Sequence, residues 1–402
     1  MRGNKKAQAF FLCIIFCFGT ARLSAQDERA QYPVGLKNVY FGVNIGYINY
    51  PFTTKQMEPG YSAGSVLIPH TAVRLVLYGL PLNKYLSARI TYMRPILWVR
   101  YKNINGTNFS QPVWMNIAGL TAEGNIPISE KISITVEAGL GIITRHGFSV
   151  NNVTVVKNLN YATGLFGGSI QYHLSNKWDF LASMAWSPEN NKDKQPYTVF
   201  FGGGFKYNLR PIPQKTIEKN SSSGFIFPKQ FILAGYTTSS LGYGTNNFFA
   251  NGTLPIFWGG EARVKSGISV NYYRNIFHTR KGFALDWSAS LGVWKSKNNG
   301  DNFLTASINP VFRFYAMRSK PLDLFFEYSV AGPSFISKFF IDSLQTGKKF
   351  TFHDFMGMGV FAGKEKKLYA GLRIAHYSNG NIFPENAGIM IPLTFNVGYA
   401  IK

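Results

Sequence analysis

Cysteine is nearly absent: two residues in 402, Cys13 and Cys17. Both fall inside an N-terminal segment with the marks of a secretory signal. Arg2, Lys5 and Lys6 form a basic start, Ala9–Phe18 is apolar, and Leu23-Ser24-Ala25 offers a cleavage site. Neither cysteine has a lipoprotein context. The expected mature chain is therefore exported and carries no disulfide. Long apolar runs are missing too. After residue 25 no stretch of about 18 apolar residues occurs, so no transmembrane helix is expected. Acids are scarce, 19 against 42 lysines and arginines. Without the four basic residues of the first 25, 38 remain against 19, a net charge of +19. Such a balance often marks a nucleic-acid partner. Export argues against that and favours an anionic membrane surface or a phosphorylated lipid.

What is present is aromatic and glycine-rich: 35 Phe, 22 Tyr and 40 Gly. The apolar period is two. Val39, Phe41, Val43, Ile45 and Tyr47 alternate with Tyr40, Gly42, Asn44 and Gly46. The same alternation runs through Ile132–Ile142, Leu285–Val293 and Leu322–Val330. Each segment has about the ten residues that a tilted membrane strand needs, with one apolar face and one polar or tiny face. The fold class expected is all-β, a transmembrane antiparallel β-barrel. A secreted β-sandwich is the alternative, but it would carry shorter apolar faces on fewer strands.

Two sets of eight strands are predicted. The first covers residues 38–50, 69–79, 84–103, 113–126, 130–147, 160–174, 177–189 and 196–209. The second covers 228–243, 257–274, 281–297, 302–318, 321–336, 349–363, 367–378 and 389–401. Arg210 to Gly224, with two prolines and a serine run, reads as a linker. An eighth strand ends in the periplasm, where turns within one barrel are short. The division expected is therefore 1–25 signal, 26–209 first barrel, 210–227 periplasmic linker and 228–402 second barrel. One sixteen-stranded barrel is the alternative. Eight strands leave a lumen filled by side chains, not an open pore.

Chemistry concentrates near the C-terminus, in AHYSNGNIFPENAG from Ala375 to Gly388. Leu368, Ala370, Leu372 and Ile374 share one parity of the seventh strand, and His376 and Ser378 continue it. Residues i and i+2 of a strand lie about 7 Å apart at Cα, within reach of an imidazole–hydroxyl bond. A polar pair on a lipid-facing face is costly unless it has a use or lies among headgroups.

This stretch resembles the active-site segment of the lipid A 3-O-deacylase (PagL-like) family of outer-membrane barrels. The family pattern is His-x-Ser-Asn, a loop, then Asn-x-Gly. His376, Ser378 and Asn379 match the first part, and Asn386 and Gly388 the second. The resemblance covers roughly residues 228–402. It implies an outer-membrane esterase that works sideways on lipid A or lipopolysaccharide. Ser378 would be the nucleophile and His376 the base, with Asn379 and Gly380 stabilising the oxyanion. The family's acid stands two residues after the glycine, where this chain has Met390. Glu385 in the same loop or Asp354 on the preceding strand are the acids that could orient His376; otherwise Glu385 is a solvated loop residue and Asp354 a lumen residue. A non-enzymatic barrel with a decayed site is the competing reading, and a porin-like barrel a third. Metal and cofactor are expected to be none, since the histidines lack ligand spacing.

The chain also holds a second His-x-Ser-Asn, at His173, Ser175 and Asn176. Here Phe166, Ile170, Tyr172 and Leu174 take the outward parity, so His173 and Ser175 face the lumen. Ser175-Asn176-Lys177 reads as a tight turn.

Overall fold

In the computed structural model, residues 29–250 and 259–401 are described. The expected signal segment, with Cys13 and Cys17, lies outside the described residues.

The first half closes into eight strands: β1 (Tyr40–Asn49), β2 (Thr71–Pro81), β3 (Leu86–Pro95), β4 (Gln111–Pro127), β5 (Ile132–His146), β6 (Leu159–His173), β7 (Trp178–Ser187) and β8 (Thr198–Asn208). Each pairs antiparallel with its sequence neighbours, and β1 pairs with β8 to complete the ring. The second half repeats this with β9 (Gln230–Thr238), β10 (Ala262–His278), β11 (Phe283–Ser296), β12 (Asn302–Arg318), β13 (Leu322–Ile336), β14 (Phe350–Ala362), β15 (Leu368–Ser378) and β16 (Ile389–Ile401). It closes through β9 and β16. The protein is two separate eight-stranded barrels, not one of sixteen strands and not a sandwich.

The period-two pattern explains the walls. Val136 and Leu291 point outward and are 55% and 59% exposed. Their neighbours Glu137 and Ser290 point inward and are buried. The outward apolar band recurs on strands of both barrels, as a hydrocarbon environment requires. Among the described residues, closure leaves the two eight-stranded walls without an open edge, the condition for strands to cross a bilayer.

Both lumens are filled. In the first, Arg74 pairs with Glu137 at 2.6 Å, and Arg89 bridges Glu123 and Glu137. In the second, Arg313 pairs with Asp286 at 2.5 Å and stands against the rings of Phe231, Phe325 and Phe361. Arg373 pairs with Glu327 at 2.5 Å and also reaches Tyr273. Buried charges persist only when paired in this way.

Several segments differ from the sequence expectation. The strand expected over 84–103 breaks after Pro95. Its outer part becomes a short strand, Val99–Ile104, that pairs with Ala63–Leu67 above the barrel. The strand expected to reach 243 stops at Thr238. Gly242 takes φ +73° and a short helix, α2 (Gly244–Ala250), follows. The linker contains its own helix, α1 (Gln214–Ser221), entered behind Pro213.

Short turns at residues 81–86, 127–132, 278–283 and 318–322 mark one end of both barrels. Long excursions at 49–71, 95–111, 336–350 and 378–389 mark the other. In outer-membrane barrels these are the periplasmic and extracellular ends respectively. The candidate loop is thus extracellular.

Candidate functional site

The site is built from three adjacent strands of the second barrel. On β15, His376 lies opposite Asp354 of β14 on one side and opposite Met390 of β16 on the other. Leu372 and Met358 share this parity and are exposed on the outer wall, which places His376 and Asp354 on the outward face. Asp354 is therefore not a lumen residue. Its carboxylate Oδ2 is 3.5 Å from His376 Nδ1. Its other oxygen, Oδ1, accepts the Ala331 N–H at 2.5 Å.

That donor comes from a bulge. The register between β13 and β14 slips between Ser329 and Gly332, and Ala331 adopts φ +54°. A left-handed alanine costs about 1–2 kcal/mol. Here it turns one extra N–H toward the acid, and bulges of this kind re-aim groups beside functional sites.

His376 is 1% exposed although it faces outward. The cover is the returning loop. Gly388 has φ +64°, and a Cβ there would come within 3.3 Å of His376 Nε2. The same Cβ would meet Gly260 Cα at 3.2 Å. Glycine at this step thus serves both the turn and the close approach to the imidazole. Ser378 follows two residues on, half-buried, opposite Phe352.

The other predicted residues lie in the loop that follows β15. The Asn379 N–H donates to Asn386 Oδ1 at 2.9 Å, and its amide donates to the Glu385 carbonyl at 2.6 Å. The Asn386 amide in turn donates to Asn381 Oδ1 at 2.7 Å. These bonds close the loop on itself, so the backbone donor expected at Asn379 is already engaged. Gly380 takes φ +62° at the tip, beside the ring of Phe352. Glu385 turns away from His376, and its carboxylate accepts from Asn158 of the first barrel at 3.0 Å.

The second His-x-Ser-Asn behaves differently. Ser175 Oγ accepts the N–H groups of Lys177 and Trp178 and so caps a turn. His173 faces inward, with Nε2 2.9 Å from Ser133 Oγ and Nδ1 2.8 Å from Asp179 Oδ1. Its His–Asp contact is shorter than the 3.5 Å between His376 and Asp354, and sequence reasoning missed the grouping because Ser133 lies forty residues away from His173. Yet Ser133 is buried in the lumen, and Asp179 also holds Lys206 at 3.1 Å and Asn208 at 3.0 Å. It ties β5, β6, β7 and β8 together near the periplasmic mouth.

Fold and wall define the class: a tandem pair of transmembrane β-barrels of the bacterial outer membrane, the second carrying a polar cluster on its outer face. Residues 262–400 match the family described as Lipid A 3-O-deacylase (PagL). Among solved structures, the chain is similar to the outer membrane enzyme PagL, at 18% identity and TM-score 0.30 over 42% of this chain and 99% of that one. It is also similar to the N-terminal β-barrel domain of Pseudomonas aeruginosa OprF, at 13% identity and TM-score 0.29 over 43% and 98%. Ail of Yersinia pestis gives 14% identity and TM-score 0.27 over 42% and 99%. No curated protein matches the chain.

Proposed function

We propose that the second barrel is an esterase that removes an ester-linked acyl chain from lipid A in the outer leaflet. The observation that carries this reading is the in-register Asp354–His376 pair on the outward wall, with Ser378 two residues on, inside the segment that matches the deacylase family.

In this reading Ser378 Oγ attacks the ester carbonyl while His376 takes its proton. The oxyanion is met by the Gly380 N–H, and by Asn379 once Asn386 exchanges its bond. Collapse expels the sugar alcohol, which receives the proton from His376. Water, activated by the same imidazole, then releases the fatty acid from Ser378. Asp354 holds the imidazole tautomer and stabilises the imidazolium, the task that Met390 cannot perform. The Asp354–His376 contact, at 3.5 Å, is longer than a tight hydrogen bond and tightens as the imidazole becomes charged. Lipopolysaccharide approaches within the plane of the membrane, and its phosphates suit a chain of net positive charge. No cofactor or metal takes part. The unit 228–402 does the chemistry, 210–227 links it on the periplasmic side, and 26–209 is an accessory barrel.

The test is expression in a Gram-negative host, followed by mass spectrometry of its lipid A. Loss of one acyl chain is expected with the wild type and not with Ser378→Ala; identical spectra would reject the enzyme. A non-enzymatic barrel is the second reading, favoured by Met390 in the family's acid position and by the engaged Asn379 N–H.

A further inference from the structure

On the outer wall of the first barrel, three adjacent strands carry a row of polar residues. Asn116 of β4, Thr144 of β5 and Asn160 of β6 are in-register neighbours and take the outward parity of Leu120, Leu140 and Ile142. Three polar side chains side by side on a lipid-facing wall are unfavourable unless something protein-borne meets them. Asn116 and Thr144 are only 1% and 0% exposed, so something does.

The cover is the loop of the second barrel that carries the candidate site. Asn116 Nδ2 donates to the Asn381 carbonyl at 2.9 Å. Thr144 Oγ1 donates to the Ile382 carbonyl at 2.9 Å, and Asn160 Nδ2 donates to the same carbonyl. Asn160 Nδ2 also braces Thr144 Oγ1 at 2.8 Å. One turn outward, Asn158 holds the Glu385 carboxylate, and its own Oδ1 accepts the Gly147 N–H at 2.8 Å. Above the row, His146 stacks on Trp114 with ring centroids 5.0 Å apart.

The contacts are directional. The carbonyls of Asn381 and Ile382 are backbone acceptors just past the Ser378–Gly380 turn. Asn381 has φ +58°, the left-handed conformation that asparagine tolerates at turns. The first barrel holds this turn with donors on rigid strands.

We propose that the first barrel is a built-in positioning subunit. Its Asn116–Thr144–Asn160 row seats the 379–388 loop and thereby fixes Ser378, Gly380 and Gly388 relative to His376. The link to catalysis rests on the esterase reading; the seating does not.

The test uses the full chain in outer-membrane vesicles. Both native cysteines lie in the first 25 residues, so introduced thiols are the only ones expected after signal removal. Thr144→Cys with Ile382→Cys, and a protease site in the Ser221–Ser223 run, should give two halves held together by an oxidised disulfide. Separately, a single Ile382→Cys reports loop exposure to a membrane-impermeant maleimide. Adding Asn116→Leu, Thr144→Val and Asn160→Leu makes the row apolar, as a normal barrel wall is. We expect labelling to accelerate about tenfold while heat-modifiable gel mobility, the mark of folded barrels, is kept. We also expect kcat to fall about ten- to hundredfold with KM little changed, the scale of a misplaced catalytic loop. Thr144→Ser, which keeps the donor, should retain both properties. Absence of the disulfide, or unchanged labelling in the apolar-row variant, overturns the proposal. A wild type without deacylase activity rejects the esterase reading, and the disulfide and labelling arms still decide the seating.

Discussion

Replacing Asp354 by asparagine removes the negative charge behind His376 and keeps the shape. In the proposed transition state His376 becomes an imidazolium, with Asp354 Oδ2 3.5 Å away. At an effective dielectric of about 20, two unit charges at that distance attract by about 5 kcal/mol. Each 1.4 kcal/mol is about tenfold in rate, so the upper bound is three to four decades. The long contact and the headgroup setting reduce this. The expected loss in kcat for Asp354→Asn is about 100- to 1000-fold, with KM within a few-fold. The complementary change uses the other neighbour: Met390 faces His376 from β16. Met390→Glu on the Asp354→Asn background should recover at least about tenfold, because the acid returns on the opposite side of the same imidazole. The assay is release of fatty acid from purified lipid A by the reconstituted protein, with gel mobility confirming folded barrels. Activity of Asp354→Asn within about threefold of the wild type would refute the orienting role.

Three further outcomes follow from the geometry. Ser133→Ala should leave deacylation unchanged and lower the unfolding midpoint, since it removes a hydrogen bond worth about 1 kcal/mol from the lumen network; a loss of activity without loss of stability would contradict its assignment as a structural tie. Asp342, in the extracellular excursion after β13, is pushed up by burial, but hydrogen bonds from the Asn299 N–H, the Ser296 side chain and the Asn298 N–H outweigh this and leave its pKa below the ordinary value. A depressed carboxylate stabilises above its unfolded pKa and loses that contribution as pH falls through the folded one. Amide exchange at residues 298–299 should therefore accelerate only in that acid range, and flat exchange across it would remove Asp342 as the clamp. Purified protein in planar bilayers should show no porin-like conductance, because Arg74–Glu137 and Arg313–Asp286 fill the two lumens; a large steady conductance would contradict the packed interiors.

Strand positions were legible because each strand repeats one rule, apolar outward and polar or tiny inward. Ile132–Ile142 and Leu285–Val293 show it, and the structure keeps their parity. What the pattern lacked was register. Nothing along the chain says that Asp354, not Met390, faces His376 with a carboxylate, since cross-strand partners are set by turns and bulges. The parity of Asp354 was readable, though, because it continues Met358 and Met356. The bulge at Ala331 was not read, although Gly332 and Pro333 follow it directly, because a glycine–proline step inside a strand does not say which neighbouring N–H is turned outward. Nor was the partner of the Asn116–Thr144–Asn160 row. Each residue looks like an ordinary polar strand end, and the row exists only once β4, β5 and β6 are aligned. α2 escaped because its short segment, Gly244–Ala250, has no apolar period of its own.

In the proposed reaction Ser378 is a nucleophile activated by His376 on the outer wall of the second barrel, and covalent trapping reads that activation at the serine itself. A lipid-tailed fluorophosphonate incubated with the folded protein should add one phosphonyl group, mapped by peptide mass spectrometry to Ser378. The adduct should vanish in His376→Asn, and Ser133 and Ser175 should stay unmodified. A protein that deacylates lipid A yet leaves Ser378 unlabelled, or labels a different serine, would rule out Ser378 as the nucleophile.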